Sequence, residues 1–284
     1  MPVYSLASLT WTAVRELPAA RTVAVLPAGA IEAHGPHLPL ATDVIIAEAM
    51  ARAGADRLAA RGLHVLLLPA LTIAPAPFAA EFPGTLDVPP EATTMIVGAV
   101  MQNLAAHGCR AAAIANAHHD PAHVAALRRA VGELNAHGPA NRRRQGYGGS
   151  PERSAKAEDG HYAEPAGMVA VFPDLTRRRW AERLTAEFRS GACHAGRYET
   201  SIVLAERPDL VRTDVMSTLG PNPRSLVDAI REGRTTFTAA GGSDAYFGCP
   251  AEATAEEGRA IIETLGAILA EAVVEAIGPT GAAS

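Results

Sequence analysis

Residues 22–69 read TVAVLPAGAIEAHGPHLPLATDVIIAEAMARAGADRLAARGLHVLLLP, the pattern of a strand, a helix and a second strand. Thr22–Pro27 is a short apolar run, as required of a strand covered on both faces in a parallel sheet. From Val44 to Ala60 apolar residues recur at helical spacing, at Ile45, Ile46, Met50, Ala51 and Leu58, and Gly62 stops the run. His64–Pro69 is a second apolar strand. Together they make a βαβ unit, whose crossover is expected to be right-handed.

The same alternation continues outward. An amphipathic opening spans Leu9 to Leu17, and a loop rich in Pro, Gly and Ala runs from Leu71 to Pro90, long enough to shape a pocket. A helix is expected from Glu91 to Ala106, a third strand over Arg110–Asn116, and a helix opened by Pro121 that runs to Ala136 and is closed by Gly138. Residues 139–167 are polar and punctuated by glycine, and read as a surface excursion, a lid or a subunit contact. Beyond it come a strand at Met168–Phe172, a helix from Leu175 to Phe188, a polar loop His194–Ser201 entering an apolar strand at Ile202–Leu204, and a short helix from Asn222 to Glu232. Thr254 and Glu257 form a Thr-x-x-Glu capping box for a last helix with Ile261, Leu265, Ile268, Leu269 and Val273 on one face, and residues 279–284 should fray. No repeat and no composition shift divides the chain. Residues 1–284 therefore read as a single three-layer α/β domain with a mainly parallel sheet flanked by helices.

Composition excludes several classes of function. At 284 residues, 48% hydrophobic and 19% charged, the chain has a globular balance and buries a substantial core. A net charge of −5 gives no general attraction to nucleic acid or to an anionic membrane. No run of about 18 apolar residues occurs, and the N-terminus lacks the pattern of a secretory leader. Cys109, Cys193 and Cys249 form no CxxC pair and, being odd in number, no disulfide framework, so the chain reads as cytosolic.

Ligands of open α/β sheets bind outside the carboxyl ends of the strands. Three segments bring polar residues there: Glu32, His34 and Asp43, then His118, His119 and Asp120, then His194 and Glu199. Imidazoles and carboxylates without cysteine suit Zn²⁺, Mn²⁺ or Fe²⁺, and they are numerous enough for a two-metal site with a bridging carboxylate. Each residue also has a plainer role. Asp43 and Asp120 precede helices and suit N-caps, and His34 and His37 in a Pro/Gly loop suit hydrogen bonds to backbone.

Residues 26–43, LPAGAIEAHGPHLPLATD, resemble the signature of the creatininase family of metal-dependent amidohydrolases. NAHHD at 116–120, HAGRYETS at 194–201 and FGCPAEATAEEGRA at 247–260 follow in the family's order. The resemblance implies a creatininase-like fold and a hydrolase acting on a C–N bond other than a peptide bond, in a small cyclic amide or formamide-like metabolite. It makes Glu32, His34, Asp43, His118 and Glu199 the ligands of two divalent ions, most simply Zn²⁺ with Mn²⁺ or Fe²⁺ as alternatives, and Asp43 the bridge. His194 takes the place of a proton-transferring histidine, and Asp120 that of a ligand or a supporting group sharing that task. A ring-like homo-oligomer, often a hexamer, is also implied.

A second role within the family is trimming of a peptide-derived cofactor precursor. From another class comes a non-catalytic metabolite-binding protein, against which the complete set of ligand-type residues argues. The family's serine and Glu-His pair ahead of Phe82-Pro83-Gly84-Thr85 are replaced by Ala76, Phe78 and Ala79, an apolar lining that does not suit creatinine itself. His119 and His123 read as helix-start histidines, and Arg142–Arg144 as solvated charge.

Overall fold

The computed structural model describes residues 1–136 and 167–278. Five parallel strands, β1 (Val3–Ser5), β2 (Thr22–Ala28), β3 (His64–Leu67), β4 (Ala111–Asn116) and β5 (Val169–Val171), form one sheet in the order β1-β3-β2-β4-β5. The edge strand β1 is too short to show a pattern in the sequence. The principal helices of the first half are α1 (Trp11–Arg15), α2 (Thr42–Ala60), α3 (Pro90–Ala106) and α4 (Pro121–Ala136).

Side chains alternate across a strand, so the apolar run of β2 feeds two cores at once. Val23 and Val25 pack with Val65, Ala111 and Ala113 beneath α2 and the helix Ala255–Ile277. Ala24 and Leu26 pack with Leu66, Ala112 and Ile114 beneath α3 and α4. The three layers expected from the sequence are these two helical layers and the sheet between them. Close approach on the first face depends on small residues: a Cβ on Gly266 would stand 2.5 Å from the Ala53 Cβ of α2.

Strand order fixes where a ligand goes. From β2 the chain passes by α2, on one face, to β3, then by α3, on the other face, to β4 on the far side of β2. The loops after the adjacent strands β2 and β4 therefore lead to helices on opposite faces, α2 and α4. Such a divergence opens a crevice at the carboxyl ends of those strands. The segments 29–41 and 117–120 border it.

Several expectations are corrected. Ile202–Leu204 is not a strand but the interior of a helix, Arg197–Glu206, whose buried Ile202 packs under the C-terminal helix while Val203 packs with Leu38, Ala195 and Val211. A three-residue apolar run cannot by itself distinguish a buried strand from a buried helical turn. The helix expected from Leu175 to Phe188 is two short ones, Arg178–Ala181 and Ala186–Ser190, the second capped by Thr185. The helix expected over Asn222–Glu232 is confined to Leu226–Arg231. Thr254 caps the last helix as expected, accepting from the Glu257 amide, but the Glu257 carboxylate bonds Arg197 instead of closing the box. The excursion at 139–167, except residue 167, the Gly138 stop, the Arg142–Arg144 run and the tail 279–284 lie outside the described residues.

Two glycine-to-alanine substitutions should move stability in opposite directions. At Gly258 a Cβ would stand 1.8 Å from the Ser201 carbonyl oxygen, so Gly258→Ala must push apart the Arg197–Glu206 and Ala255–Ile277 helices. Overpacking of this kind costs about 1–3 kcal/mol. At Gly98, inside α3, a Cβ would meet nothing within 4 Å, so Gly98→Ala should stabilise by about 0.5–1 kcal/mol through helix propensity. Urea denaturation of both variants checks the signs.

Candidate metal centre

Asp43 reaches the crevice because β2 ends in glycine. A Cβ on Gly29 would lie 2.7 Å from the backbone of both Asp43 and Val44, so only glycine lets the first turn of α2 rest on the strand end. Asp43 is not the N-cap of that helix. Ala41 holds the cap position, and the Asp43 side chain is free to face inward. The Glu32/His34 loop is pinned by the Glu32 amide on the Leu40 carbonyl (3.0 Å), the Ala33 amide on Thr85 Oγ1 (3.2 Å) and the Gly35 amide on the Ala245 carbonyl (2.8 Å).

Three imidazoles each commit one ring nitrogen to a backbone carbonyl. His34 Nδ1–H donates to Glu32 O (3.1 Å), His118 Nε2–H to Pro75 O (2.7 Å) and His194 Nε2–H to Ala33 O (2.9 Å). A carbonyl only accepts, so each bond fixes the tautomer and turns the other nitrogen toward the crevice. There His34 Nε2 lies 3.2 Å from Asp43 Oδ1, 3.6 Å from Glu199 Oε2 and 3.8 Å from Glu32 Oε1. His118 Nδ1 lies 2.9 Å from Asp43 Oδ2 and 3.3 Å from Glu32 Oε1, and His194 Nδ1 3.9 Å from Glu32 Oε1. Asp43 thus turns one oxygen to each of two imidazoles.

These atoms form three overlapping donor sets: Glu32, Asp43 and His118; His34, Asp43 and Glu199; and Glu32, His34 and His194. All are buried. Buried carboxylates facing one another require neutralisation. Burial alone opposes charge on His34, but the facing carboxylates of Asp43, Glu199 and Glu32 override it and push its pKa up to about 10. His118 is raised in the same way by Glu32 and Asp43. Burial, with Asp43 and Glu32 nearby, pushes the Glu199 carboxyl up to about 8. His194 is lowered to about 4 by burial and by His34, so it is neutral at pH 7. The metal-free cluster therefore balances two imidazolium cations against two carboxylates, with Glu199 protonated. With all its donors deprotonated it carries three negative charges, the chemistry of a divalent-cation site. Despite these short ion-pair approaches, His34 Nε2 and Asp43 Oδ2 are buried without a hydrogen bond of proper angle, which leaves both atoms facing the crevice.

A family model described as "Creatininase: Creatinine amidohydrolase" matches residues 7–273. The chain belongs to the creatininase family of hydrolases. It is 30% identical over 256 residues to a mycofactocin precursor peptide peptidase of Mycobacterium tuberculosis, covering 88% of this chain and 84% of that one. It is 26% identical over 282 residues to a creatinine amidohydrolase of Pseudomonas putida, covering 96% of each. Among solved structures, a creatininase variant of Zn-Zn type superposes with a TM-score of 0.65 at 22% identity, and a creatininase described with Mn at 0.64 and 23%, each covering 98% of this chain and 100% of its own.

Of the residues picked from sequence, Glu32, His34, Asp43, His118, Glu199 and His194 meet in this creatininase-family crevice. Asp120 stands beside them but in none of the three sets. Its Oδ1 accepts from the Ala122 amide at 2.8 Å, the helix-start role, while Oδ2 is buried without a partner, and burial raises its pKa. His119 points away, edge-on to the Phe188 ring.

Residues that orient the ligands were harder to see in the sequence. His37 Nε2 meets Thr200 Oγ1 at 2.9 Å, joining the first loop to the helix of Glu199. Asn116 Nδ2 donates to the His118 carbonyl (2.7 Å), and its Oδ1 accepts from His123 Nε2 (2.9 Å), which fixes the turn at the end of β4. Phe237 packs on His194 at 4.2 Å between ring centroids, and His34 at 4.3 Å, both tilted by 34°. The polar Asn116 closing an otherwise apolar strand was the one available signal; Phe237 had none.

Cation binding should displace protons. Adding Zn²⁺ or Mn²⁺ to chelator-stripped protein at pH 7 should release about three protons if both filled sets form, from His34, His118 and Glu199. Calorimetry in buffers of different ionisation enthalpy measures this number. Release near zero would mean that these donors are already deprotonated in the metal-free protein.

Proposed function

We propose that this hydrolase cleaves an amide C–N bond with two divalent cations, Zn²⁺ foremost and Mn²⁺ or Fe²⁺ as alternatives. Glu32, Asp43 and His118 would hold one ion and His34, Asp43 and Glu199 the other, with Asp43 shared. The observation that carries this reading is the split of the Asp43 carboxylate between two carbonyl-oriented imidazoles. When bound, such ions supply charge neutralisation, acidification of a water and polarisation of the carbonyl.

The chain's own residues do the rest. His194 is neutral, with Nε2–H anchored on Ala33 O and the Nδ1 lone pair turned to the cluster. It takes a proton from the attacking water and delivers it to the leaving nitrogen. Asp120, with its buried and unpartnered Oδ2, assists that delivery. Burial of the ring against His34 and Phe237 excludes bulk water and holds its orientation.

Two features favour a peptide or peptide-like amide over a small polar cyclic amide. The loop at Ala76–Ala79 offers Ala76, Phe78 and Ala79, and Phe78 and Phe82 gather on Phe237 beside His194, an approach lined by hydrocarbon. The similarity to the mycobacterial precursor peptide peptidase agrees with it. The non-peptide reading is retained on the 96% coverage by the Pseudomonas creatinine amidohydrolase. We place the protein in the cytosol, where the unpaired Cys109, Cys193 and Cys249 stay reduced, and retain a ring-like homo-oligomer as its assembly. Among the described residues no helix is long and apolar enough to cross a membrane.

Purified protein loaded with Zn²⁺ or Mn²⁺ should hydrolyse apolar peptides faster than creatinine, ureides or formamides, as read by release of new amines. His194→Asn should lower kcat by about 10²–10⁴-fold with metal content unchanged. Asp43→Asn should lose both ions by elemental analysis, and Glu199→Gln only one. Full metal content in Asp43→Asn would refute the shared-ligand reading.

A further inference from the structure

Glu187 lies on the short helix Ala186–Ser190, away from the donor sets, yet its carboxylate is enclosed by three backbone amides. Oε1 accepts from Arg197 N (3.1 Å) and Cys249 N (2.7 Å), and Oε2 from Tyr198 N (2.6 Å). Arg197 and Tyr198 open the ten-residue helix Arg197–Glu206, whose cap position is Gly196 and which has no side-chain cap of its own. Glu187 therefore caps that helix from another element. Its charge also complements the positive end of the helix dipole.

The enclosure is built around this carboxylate. A Cβ on Gly196 would stand 2.9 Å from Glu187 Oε2, and one on Gly248 2.2 Å from Oε1, so the backbone approaches on both sides only because both residues are glycine. What it clamps is strained. Among the described residues Ala195 and Ala245 are the non-glycine positions with positive φ, each at 50°, a conformation that L side chains adopt only when neighbouring contacts hold it. Ala195 stands between His194 and the Glu187-capped amides, and its own amide donates to Glu199 Oε2 (2.7 Å). Ala245 precedes the Phe247 amide, which donates to His194 O (2.7 Å), and Cys249 is the next attachment of that strand to Glu187.

We infer that Glu187 is a positioning residue: by capping the Arg197–Glu206 helix and clipping Cys249 it sets Glu199 and His194 in register with the donors on the Glu32–Asp43 loop. The inference rests on the reading of Glu199 as a metal ligand. Exchange to Gln keeps the shape but turns an NH₂ group toward a backbone N–H, so one of the three amides loses its acceptor. The helix start then shifts, and Glu199 with it.

The test is Zn²⁺ binding to the full chain by competition with a chromophoric chelator, for wild type, Glu187→Gln, Glu199→Gln and the double variant, each checked for folding by near-UV circular dichroism. Glu187→Gln is expected to weaken one of two Zn²⁺ ions by about 10–100-fold and leave the other unchanged. In the Glu199→Gln background it should have no further effect on Zn²⁺. Should Glu187→Gln not fold, Glu187→Asp, which keeps the charge but withdraws the oxygens, takes its place with the same expectation. Unchanged Zn²⁺ affinity with a lowered Tm, an equal effect in both backgrounds, or failure of both variants to fold would overturn the inference and leave Glu187 a purely structural residue. If Glu199→Gln itself leaves Zn²⁺ binding intact, the ligand assignment fails first, and that outcome is separate from the other three.

Discussion

Three buried carboxylates and three imidazoles within a few ångströms are the constraint around which this protein is built. An ionised carboxylate is costly to bury without a partner, and here two of them, with Glu199 beside them, face the same small volume. Protons on His34, His118 and Glu199 offset the carboxylates when the cluster holds no cation. The backbone carbonyls of Glu32, Pro75 and Ala33 make the arrangement directional: they occupy the outer nitrogens and leave the inner ones no alternative but the crevice. A site that stores this much unfavourable charge must be imposed by the rest of the fold.

The imposition is visible in the backbone. Gly29 admits the first turn of α2 onto the end of β2, and the order β3-β2-β4 sends the following loops to opposite faces. Those features place Glu32, Asp43 and His118. The second half of the site has no strand to hang on: His194 and Glu199 sit at the start of a helix entered through a turn with Ala195 at positive φ. That turn relies on bonds from its neighbours, with the Phe247 amide on His194 O, Thr200 on His37, and Glu187 across the helix start. The two halves meet through such contacts, through the His194 ring on Ala33 O and through packing of Leu38 on Ala195 and Val203.

Legibility in the sequence follows the same division. Strands β2 to β5, α2, α3, α4 and the C-terminal helix were readable because they are periodic or largely apolar runs, most of them bounded by Gly or Pro, and the donors on the loops after β2 and β4 stood out for breaking those runs. Ile202–Leu204 was misread because three apolar residues fit either geometry, and the choice is made by packing against Ile261 and Leu265, some sixty residues later. Asp43 could not be separated from an N-cap by position alone, since a capping aspartate and an inward-facing one occupy neighbouring places in a first turn. Glu187 and Phe237 were invisible for a different reason. Their partners are backbone amides and a ring brought to them by tertiary folding, and no local spacing encodes that.

The aromatic side of the crevice bears on selectivity. Phe237 is 3% exposed, and its ring, like that of His34, packs against the His194 ring. Phe78 and Phe82 reach the same ring from the loop after β3, and the Glu81 carboxylate between them accepts from the Thr238 amide at 2.9 Å, tying the two segments together. With His194 in its proposed proton-transferring role, a substrate would displace or slide along this hydrocarbon, and a small, strongly hydrated amide would surrender its water there without compensating bonds. An apolar chain recovers that cost by burial, at about 25 cal/mol per Å² covered. On the proposed function, the donor cluster would set which bond can be broken, while Phe78, Phe82 and Phe237 would decide which molecules come close enough to present it.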